Sequence, residues 1–116
     1  MPKGDTERLM REKIYRGSGN VFADLGLPDA EELFVRSQIM IWIEQIIKQR
    51  GWTQKKAAVV LGIPQPKVSC LMSGKIDMFS LDRLFGFLNK LDRNIEIIIR
   101  PKPKNGKATT HVTLAA

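Results

Sequence analysis

Residues 53–74 are divided into two short stretches by residues that begin and end helices. Thr53 is a typical helix N-cap residue, Gly62 can end a helix in the left-handed conformation, and Gly74 can end a second one. Pro66 fits the first turn of the second stretch, where the N–H that proline lacks would have no helical partner. The sequence therefore predicts two consecutive helices, each of about two turns, joined by a tight turn.

A longer helix is predicted before this segment and another one after it. Asp29 and Glu32 have the spacing of a capping box, and Gly51 is placed to end the helix that begins there. Ser80 is the N-cap of the last helix. The apolar stripe of that helix consists of Leu81, Leu84, Phe85, Leu88 and Leu91. Together these elements predict an all-α domain over residues 29–91.

The helix that begins near Asp29 is apolar on nearly every side between Ile39 and Ile43. A single contact with a core requires only one apolar stripe on a helix. We therefore expect one face of this helix, with Met40 and Trp42, to contact a partner chain. The alternative is a helix that is enclosed within its own domain.

The two ends of the chain differ from the central domain. Residues 1–28 are expected to form a partly ordered N-terminal extension, in which the pattern favours a short helix over residues 6–15. In residues 92–116, the alternation of Ile95, Ile97 and Ile99 with other side chains favours a β-strand.

The turn sequence of residues 105–106 follows this strand and could begin a second one in residues 109–114. An isolated two-stranded ribbon is marginal, so the first strand is expected to pair with its copy in a second subunit or to pack on the helices. A disordered basic tail after Pro101 is the alternative.

Positive charge is concentrated in one part of the chain. The formal net charge is +7, yet the basic and acidic residues of the first 50 positions are equal in number. Residues 51–79 hold four lysines against Asp77 alone. A basic segment next to a neutral one suits a polyanion such as nucleic acid, and a solvated lysine face that keeps the protein soluble explains the charge equally well.

Composition argues against several other function classes. The longest apolar run is far shorter than the roughly 18 residues of a membrane span, and the polar N-terminus lacks a secretory signal, so we expect a cytoplasmic location and no membrane partner. Cys70 and His111 are the sole cysteine and histidine, too few for a disulfide or a typical metal site. No nucleophile, base and orienting group stand in a recognisable arrangement, so we expect no enzyme activity, cofactor or metal.

Residues 53–74 also resemble a known family. The residues that carry the resemblance are the Thr53–Gln54 opening, the Ala57–Ala58 pair, the Leu61–Gly62 turn, Gln65 with Val68–Ser69, and the closing Ser73–Gly74–Lys75. They are similar to the XRE, or lambda-repressor-like, helix-turn-helix family, and a looser similarity extends over residues 29–91. Residues 17–26 resemble the lead-in of a short subgroup related to HigA-like antitoxins. The fold implied is a lambda-repressor-like helical bundle with a C-terminal β-strand.

The resemblance implies a role for two groups of residues. The second helix of the motif would lie in the major groove of DNA, with Gln65, Pro66, Lys67, Ser69 and Cys70 facing the bases. Gln54 would contact phosphate, with Lys55, Ser73 and Lys75 as its neighbours. Two departures stand out, because Pro64 lies where the family usually has a Ser, Thr or Asp cap, and Cys70 lies where relatives often carry a polar residue. Operator preference therefore does not transfer from a relative.

The resemblance further implies a biological setting. It suggests a homodimeric repressor on a near-palindromic operator, with the two recognition helices about 34 Å apart. The narrower similarity suggests the antitoxin of a type II toxin–antitoxin pair, which represses its own operon and binds a RelE- or HigB-like toxin through the helix with Met40 and Trp42 or through residues 1–28. The alternative is a protein-interaction module that neutralises a partner without specific DNA readout.

Overall fold

The protein is a four-helix bundle over the residues that a computed structural model describes, which are 26, 29–110, 112 and 113. The helices are α1 (Ala30–Gln49), α2 (Gln54–Leu61), α3 (Gln65–Met72) and α4 (Leu81–Lys90), and a 3₁₀ turn (Ile76–Met78) lies between α3 and α4. The predictions for residues 6–15 and for His111 lie outside the described residues, as does nearly all of the segment 17–26.

Helix α1 lies at the centre of the bundle and packs against α3, α4 and the 3₁₀ turn, while α2 packs against α3 and α4. The main core contains apolar side chains from all four helices, among them Ile39, Ile43, Leu61, Leu71 and Leu84, each at most 1% exposed. This arrangement confirms the prediction of an all-α helix-turn-helix domain.

The two ends of α1 differ in how well the sequence predicted them. Gly51 has a φ of 67° directly after the helix, which is the left-handed conformation expected of a terminating glycine. Asp29 precedes the helix, but its φ of 58° is also left-handed, and its side chain makes no capping hydrogen bond. A capping residue needs an extended backbone to reach the free N–H groups. The predicted capping box at Asp29 and Glu32 is therefore wrong, although the predicted start of the helix is correct.

The apolar middle of α1 is enclosed within the domain. Ile39 and Ile43 are fully buried, and Met40 is only 2% exposed. Trp42 is half-buried and packs against the main core. The crowding of apolar residues therefore reflects a helix with neighbours on several sides, which was the alternative to a partner interface. This placement removes Met40 from the surface that a partner can reach.

After α4 the chain continues as a segment without helix or strand, which we call the C-terminal arm (residues 94–110). No residue of the described ranges lies in a β-strand, so the single chain does not contain the strand predicted for residues 94–100. A turn is present one residue earlier than predicted, since Gly106 N donates to Pro103 O at 3.2 Å and the central residues are Lys104 and Asn105.

The chain then returns to α1 instead of pairing with the outgoing half of the arm. Thr110 N donates to Glu31 Oε2 at 3.0 Å, and Val112 N donates to Gln38 Oε1 at 3.3 Å. Because the returning segment is bonded to side chains of α1, the outgoing segment has no backbone partner among the described residues. The two segments therefore do not form a ribbon within the chain, which the sequence had made marginal.

Candidate nucleic-acid interface

The turn between α2 and α3 is built by three local features. Thr53 has an extended backbone, and its Oγ1 accepts a hydrogen bond from Lys56 N at 3.1 Å, which caps α2 as predicted. Gly62 ends α2 with a φ of 71°, and its N–H donates to Ala58 O at 2.9 Å. Pro64 occupies the cap position of α3 with a φ of −63°, and its carbonyl accepts from Lys67 N at 2.9 Å. Because Pro64 offers no side-chain acceptor, α3 begins on backbone bonds alone.

The inner sides of α2 and α3 hold the two helices on the core. Ala57 is fully buried in α2, as are Val68 and, to 1% exposure, Leu71 in α3. The small side chain of Ala57 permits the close approach of the neighbouring helices. Helix α4 adds a polar tie, because Lys90 Nζ donates to Leu61 O at 2.9 Å. The last turn of α2, which leads into the glycine, is therefore held from a third helix.

The outer side of α3 carries most of the residues predicted to face bases. Successive residues of an α-helix are about 100° apart, so the burial of Val68 and Leu71 leaves the opposite side of α3 facing outward. The exposed residues are Gln65, Pro66, Lys67 and Ser69. Cys70 is half-buried and packs against the core, at the margin of this set. We call Gln65, Pro66, Lys67 and Ser69 the outer face of α3.

The residues predicted to contact phosphate lie at both ends of the helix pair. Gln54 is the first residue of α2, and Lys55 follows it; both are exposed. Ser73 and Lys75 directly follow α3 and are also exposed. Their backbone is fixed, since Ser73 Oγ donates to Cys70 O at 3.3 Å and Lys75 N donates to the same carbonyl at 3.0 Å.

The basic charge of this region has no acidic partner among the described residues. The ion pairs found there join Arg36 to Glu32, Lys48 to Glu44 and Arg50 to Asp92, and all of them lie outside α2 and α3. Within the described part of the chain, Lys55, Lys67 and Lys75 are exposed and form no ion pair. Unpaired cations beside exposed amide and hydroxyl groups suit the phosphates and base edges of a duplex.

Three basic residues hold the framework by long-range bonds that the sequence pattern did not indicate. Arg36 Nη1 lies 3.2 Å from Ile76 O and 3.3 Å from Phe79 O, and Arg50 Nη2 donates to Leu91 O at 2.8 Å. The third is the bond from Lys90 described above. Each joins residues that are 29 or more positions apart. No local motif could identify these pairs, because each acceptor is a backbone carbonyl of a residue distant in the sequence.

The described part of the chain offers few groups for other chemistry. It contains no group of three or more His, Cys, Asp or Glu side chains that could hold a metal ion. None of its helices is both long enough and apolar enough to cross a bilayer. The outer face of α3 and its lysine neighbours are thus the set of exposed polar groups with the clearest chemical use.

Comparison with known proteins agrees with this geometry. A family model described as a helix-turn-helix domain matches residues 21–100. A solved structure named as an XRE family transcriptional regulator is 39% identical to this chain and superposes with a TM-score of 0.68, covering 77% of this chain and 99% of the other. No curated protein matches.

Proposed function

Since the chain belongs to the XRE-type helix-turn-helix family, we propose that it is a sequence-specific DNA-binding transcriptional regulator. The observation that carries the proposal is the outer face of α3, which is exposed, polar and held on a rigid core through Val68 and Leu71. The major groove accepts one α-helix and presents a distinct pattern of donors and acceptors at each base pair.

Each residue of the outer face has a chemistry that a base edge can use. The side-chain amide of Gln65 can accept from N6 and donate to N7 of adenine. Lys67 can donate to guanine or to a phosphate, and Pro66 can press on a thymine methyl group. Ser69 can donate or accept, so it tolerates several bases. Cys70 is half-buried at the margin, which leaves it a smaller part in base contact.

The phosphate contacts would come from the beginning of α2 and from the loop after α3. Gln54 and Lys55 stand at the N-terminus of α2, where free N–H groups and the helix dipole favour an anion. Ser73 and Lys75 supply a hydroxyl and a cation on the other side of the motif. These contacts would fix the register of the protein on DNA and contribute little sequence preference.

We further propose that the regulator acts as a homodimeric repressor. Two copies related by a two-fold axis would place their α3 helices about one turn of DNA, or about 34 Å, apart on a near-palindromic operator. A single α3 covers only a few base pairs, and a second copy doubles the length that is recognised.

Selection from a pool of random duplexes tests the proposal directly. The selected duplex should bind at least about 10³-fold more tightly than a scrambled duplex of equal length, and the logarithm of its affinity should fall steeply with the logarithm of the salt concentration. If no sequence is enriched, or if the affinity does not change with salt, the chain does not act by reading DNA.

Three variants, compared in two pairs, assign the contacts to bases or to phosphates. Gln65→Ala should weaken binding to the selected duplex by about 5- to 150-fold and relax one base position, whereas Lys55→Ala should weaken all duplexes alike. Lys104→Ala removes the same charge from the exposed turn of the C-terminal arm, and it should leave the affinity unchanged. Equal effects of Lys55→Ala and Lys104→Ala would assign the binding to overall charge.

A narrower proposal is that the repressor is the antitoxin of a type II toxin–antitoxin pair. The similarity of residues 17–26 to the lead-in of HigA-like antitoxins supports it. The toxin would be a RelE- or HigB-like ribonuclease held by residues 1–28 or by the exposed part of Trp42. A neighbouring gene that encodes a small basic ribonuclease, whose toxicity ends on co-expression with this chain, is the expected finding. A neighbour without toxicity would remove the antitoxin role and leave the repressor.

The alternative from a different class is a protein-interaction module that neutralises a partner without DNA readout. Its helix-turn-helix would serve only as a scaffold. This alternative expects the same affinity for selected and scrambled duplexes, so the selection experiment also decides between the two functions.

A further inference from the structure

The outgoing half of the C-terminal arm, residues 94–100, exposes apolar side chains and a backbone that is not paired with any described residue. Ile97 is 73% exposed, Ile98 67% and Ile99 92%. The last backbone bond from the helical framework is Arg93 N to Leu88 O at 3.0 Å, and no backbone bond joins residues 94–101 to any described residue. Consecutive β-branched residues favour a strand, and a strand without a partner is the kind of edge that another chain can join.

Residues 94–100 have one apolar face and one mixed face when extended. Side chains alternate between the faces of a strand, so Ile95, Ile97 and Ile99 share one face. Ile95 is half-buried and packs against the core, which anchors the apolar face next to the helices. The other face carries Glu96, Ile98 and Arg100.

An antiparallel register with Ile98 on the two-fold axis combines opposite charges with apolar pairs. Glu96 then stands opposite Arg100 of the second copy, and this pair occurs twice. The same register places Ile97 opposite Ile99, also twice. An axis at Ile97 would instead place Glu96 opposite Ile98. An axis at Ile99 would pair Glu96 with Lys102, but it would place Ile98 opposite Arg100 and Ile97 opposite Pro101. Opposite charges and apolar pairs directly across a sheet stabilise it.

The prolines that follow agree with the same register. In an antiparallel pair, alternate residues exchange both backbone hydrogen bonds, and the residues between them direct their N–H groups away from the partner. When Glu96, Ile98 and Arg100 make the bonds, Pro101 and Pro103 both fall at outward positions. Proline lacks an N–H, so these positions lose no bond between the strands.

We propose that residues 94–100 of two copies of this chain pair as an antiparallel two-stranded ribbon with Ile98 on the two-fold axis. The ribbon buries the apolar face against the helices and satisfies the backbone groups of residues 96, 98 and 100. It gives the dimer that the proposed repressor needs, but its formation does not depend on DNA.

Variants that reverse the charge of Glu96 or Arg100 test the register of the ribbon without altering the helices. Analytical ultracentrifugation of the full chain without DNA should show a dimer. Glu96→Arg and Arg100→Glu should each weaken dimerisation about 10-fold, because each places like charges opposite each other twice. The double variant Glu96→Arg with Arg100→Glu should restore the affinity to within about 3-fold. A monomer at all accessible concentrations, or single variants that dimerise as well as the original chain, would overturn the proposal.

Proline substitution and hydrogen exchange test the bonding pattern. Ile98→Pro should abolish the dimer, since it removes two bonds at the axis, whereas Ile97→Pro removes an outward N–H and should weaken dimerisation much less. In the dimer, the amides of residues 96, 98 and 100 should exchange slowly and those of 95, 97 and 99 quickly. The opposite pattern would refute the register.

The outcome is separable from that of the DNA proposal. A chain that prefers its selected duplex but stays monomeric without DNA contradicts the ribbon alone. A dimer that passes the charge-exchange test but binds all duplexes alike contradicts DNA readout alone. Far-ultraviolet circular dichroism of each variant checks that the helices are intact.

Discussion

The helix-turn-helix and residues 94–100 of the C-terminal arm are both rich in apolar side chains but use them differently. In α2 and α3 the buried side chains are spaced along one side of each helix, and the polar side remains outside. In residues 94–100 three consecutive isoleucines are exposed in the single chain. The first region is complete within one molecule, whereas the second has the composition of a core strand without the neighbours of one.

This difference follows from where the partners of each region lie. A helix satisfies its backbone hydrogen bonds from within, so it needs a neighbour only for its apolar side. A strand needs a second strand for its backbone as well. Among the described residues the C-terminal arm has no second strand, because Thr110 and Val112 of the returning segment are bonded to Glu31 and Gln38 of α1. The comparison predicts that substitutions in the helix-turn-helix change the stability of the fold, whereas substitutions in residues 94–100 change dimerisation.

The largest difference is expected between a buried and an exposed aliphatic side chain. Leu71→Ala should lower the free energy of unfolding by about 2–5 kcal/mol, because it leaves a cavity beneath α3. Ile99→Ala should change it by less than about 0.5 kcal/mol in dilute monomer, since the side chain is 92% exposed. Urea denaturation measures both values. Comparable losses would show that the C-terminal arm belongs to the folded core.

Substitution of two glycines by alanine should change the stability of the helical domain in opposite directions. Gly62→Ala should destabilise the fold by about 1–2 kcal/mol, since φ is 71° and a Cβ there would stand 3.1 Å from Lys90 Nζ. Gly86→Ala lies within α4 with no atom within 4 Å of the added carbon, and it should stabilise by about 0.5–1 kcal/mol. Thermal unfolding monitored by circular dichroism shows whether each variant is less or more stable than the original chain. A stabilising Gly62→Ala would contradict the role of this glycine in the turn.

Removal of the cap of α2 should have a smaller effect. Thr53→Ala deletes the acceptor of the bond from Lys56 N and should lower stability by about 1 kcal/mol. Thr53→Ser keeps the hydroxyl and should retain most of that stability. The two variants can be compared by their urea midpoints. Equal losses in both would show that the methyl group, rather than the hydrogen bond, is what matters.

The smallest predicted effect is at the beginning of α4. The hydroxyl of Ser80 donates to the carboxylate of Asp82 and lowers its pKa. Ser80→Ala should therefore raise the pKa of Asp82, as measured by an NMR titration, while Thr53→Ala should not move it. Because the folded pKa is depressed, the small stabilisation from this contact is present above the pKa of the unfolded state and is lost as the pH falls through the folded value. An unchanged titration in Ser80→Ala would exclude the contact.

Features that depend on neighbouring residues were predictable from the sequence. Thr53 and Gly62 were identified because a cap and a left-handed glycine act within one turn of helix. The outer face of α3 was predictable for the same reason, since the spacing of Val68 and Leu71 determines which residues remain outside. These local rules gave the bounds of α2 and the accessible site residues of α3.

Features that depend on distant residues were not predictable. The apolar sequence around Met40 indicates how much surface α1 buries, but it does not indicate whether the neighbours belong to the same chain. The bond from Lys90 to Leu61 O joins two helices whose proximity follows only from packing. Asp29 and Glu32 have the spacing of a capping box, but the backbone of Asp29 is left-handed and not extended. This conformation depends on how the preceding residues approach the helix, which the spacing does not reveal.

The bond from Lys90 to Leu61 O has a mechanical consequence for a dimer. Lys90 ends α4, Leu91 after it is buried, and the arm begins only a few residues later. Only the short segment that follows α4 thus connects the helix-turn-helix to the proposed two-fold axis. Its length would set the rotational phase of the two α3 helices around the DNA, so adding a residue between Arg93 and Asn94 should alter the preferred spacing between half-sites rather than the bases preferred within each.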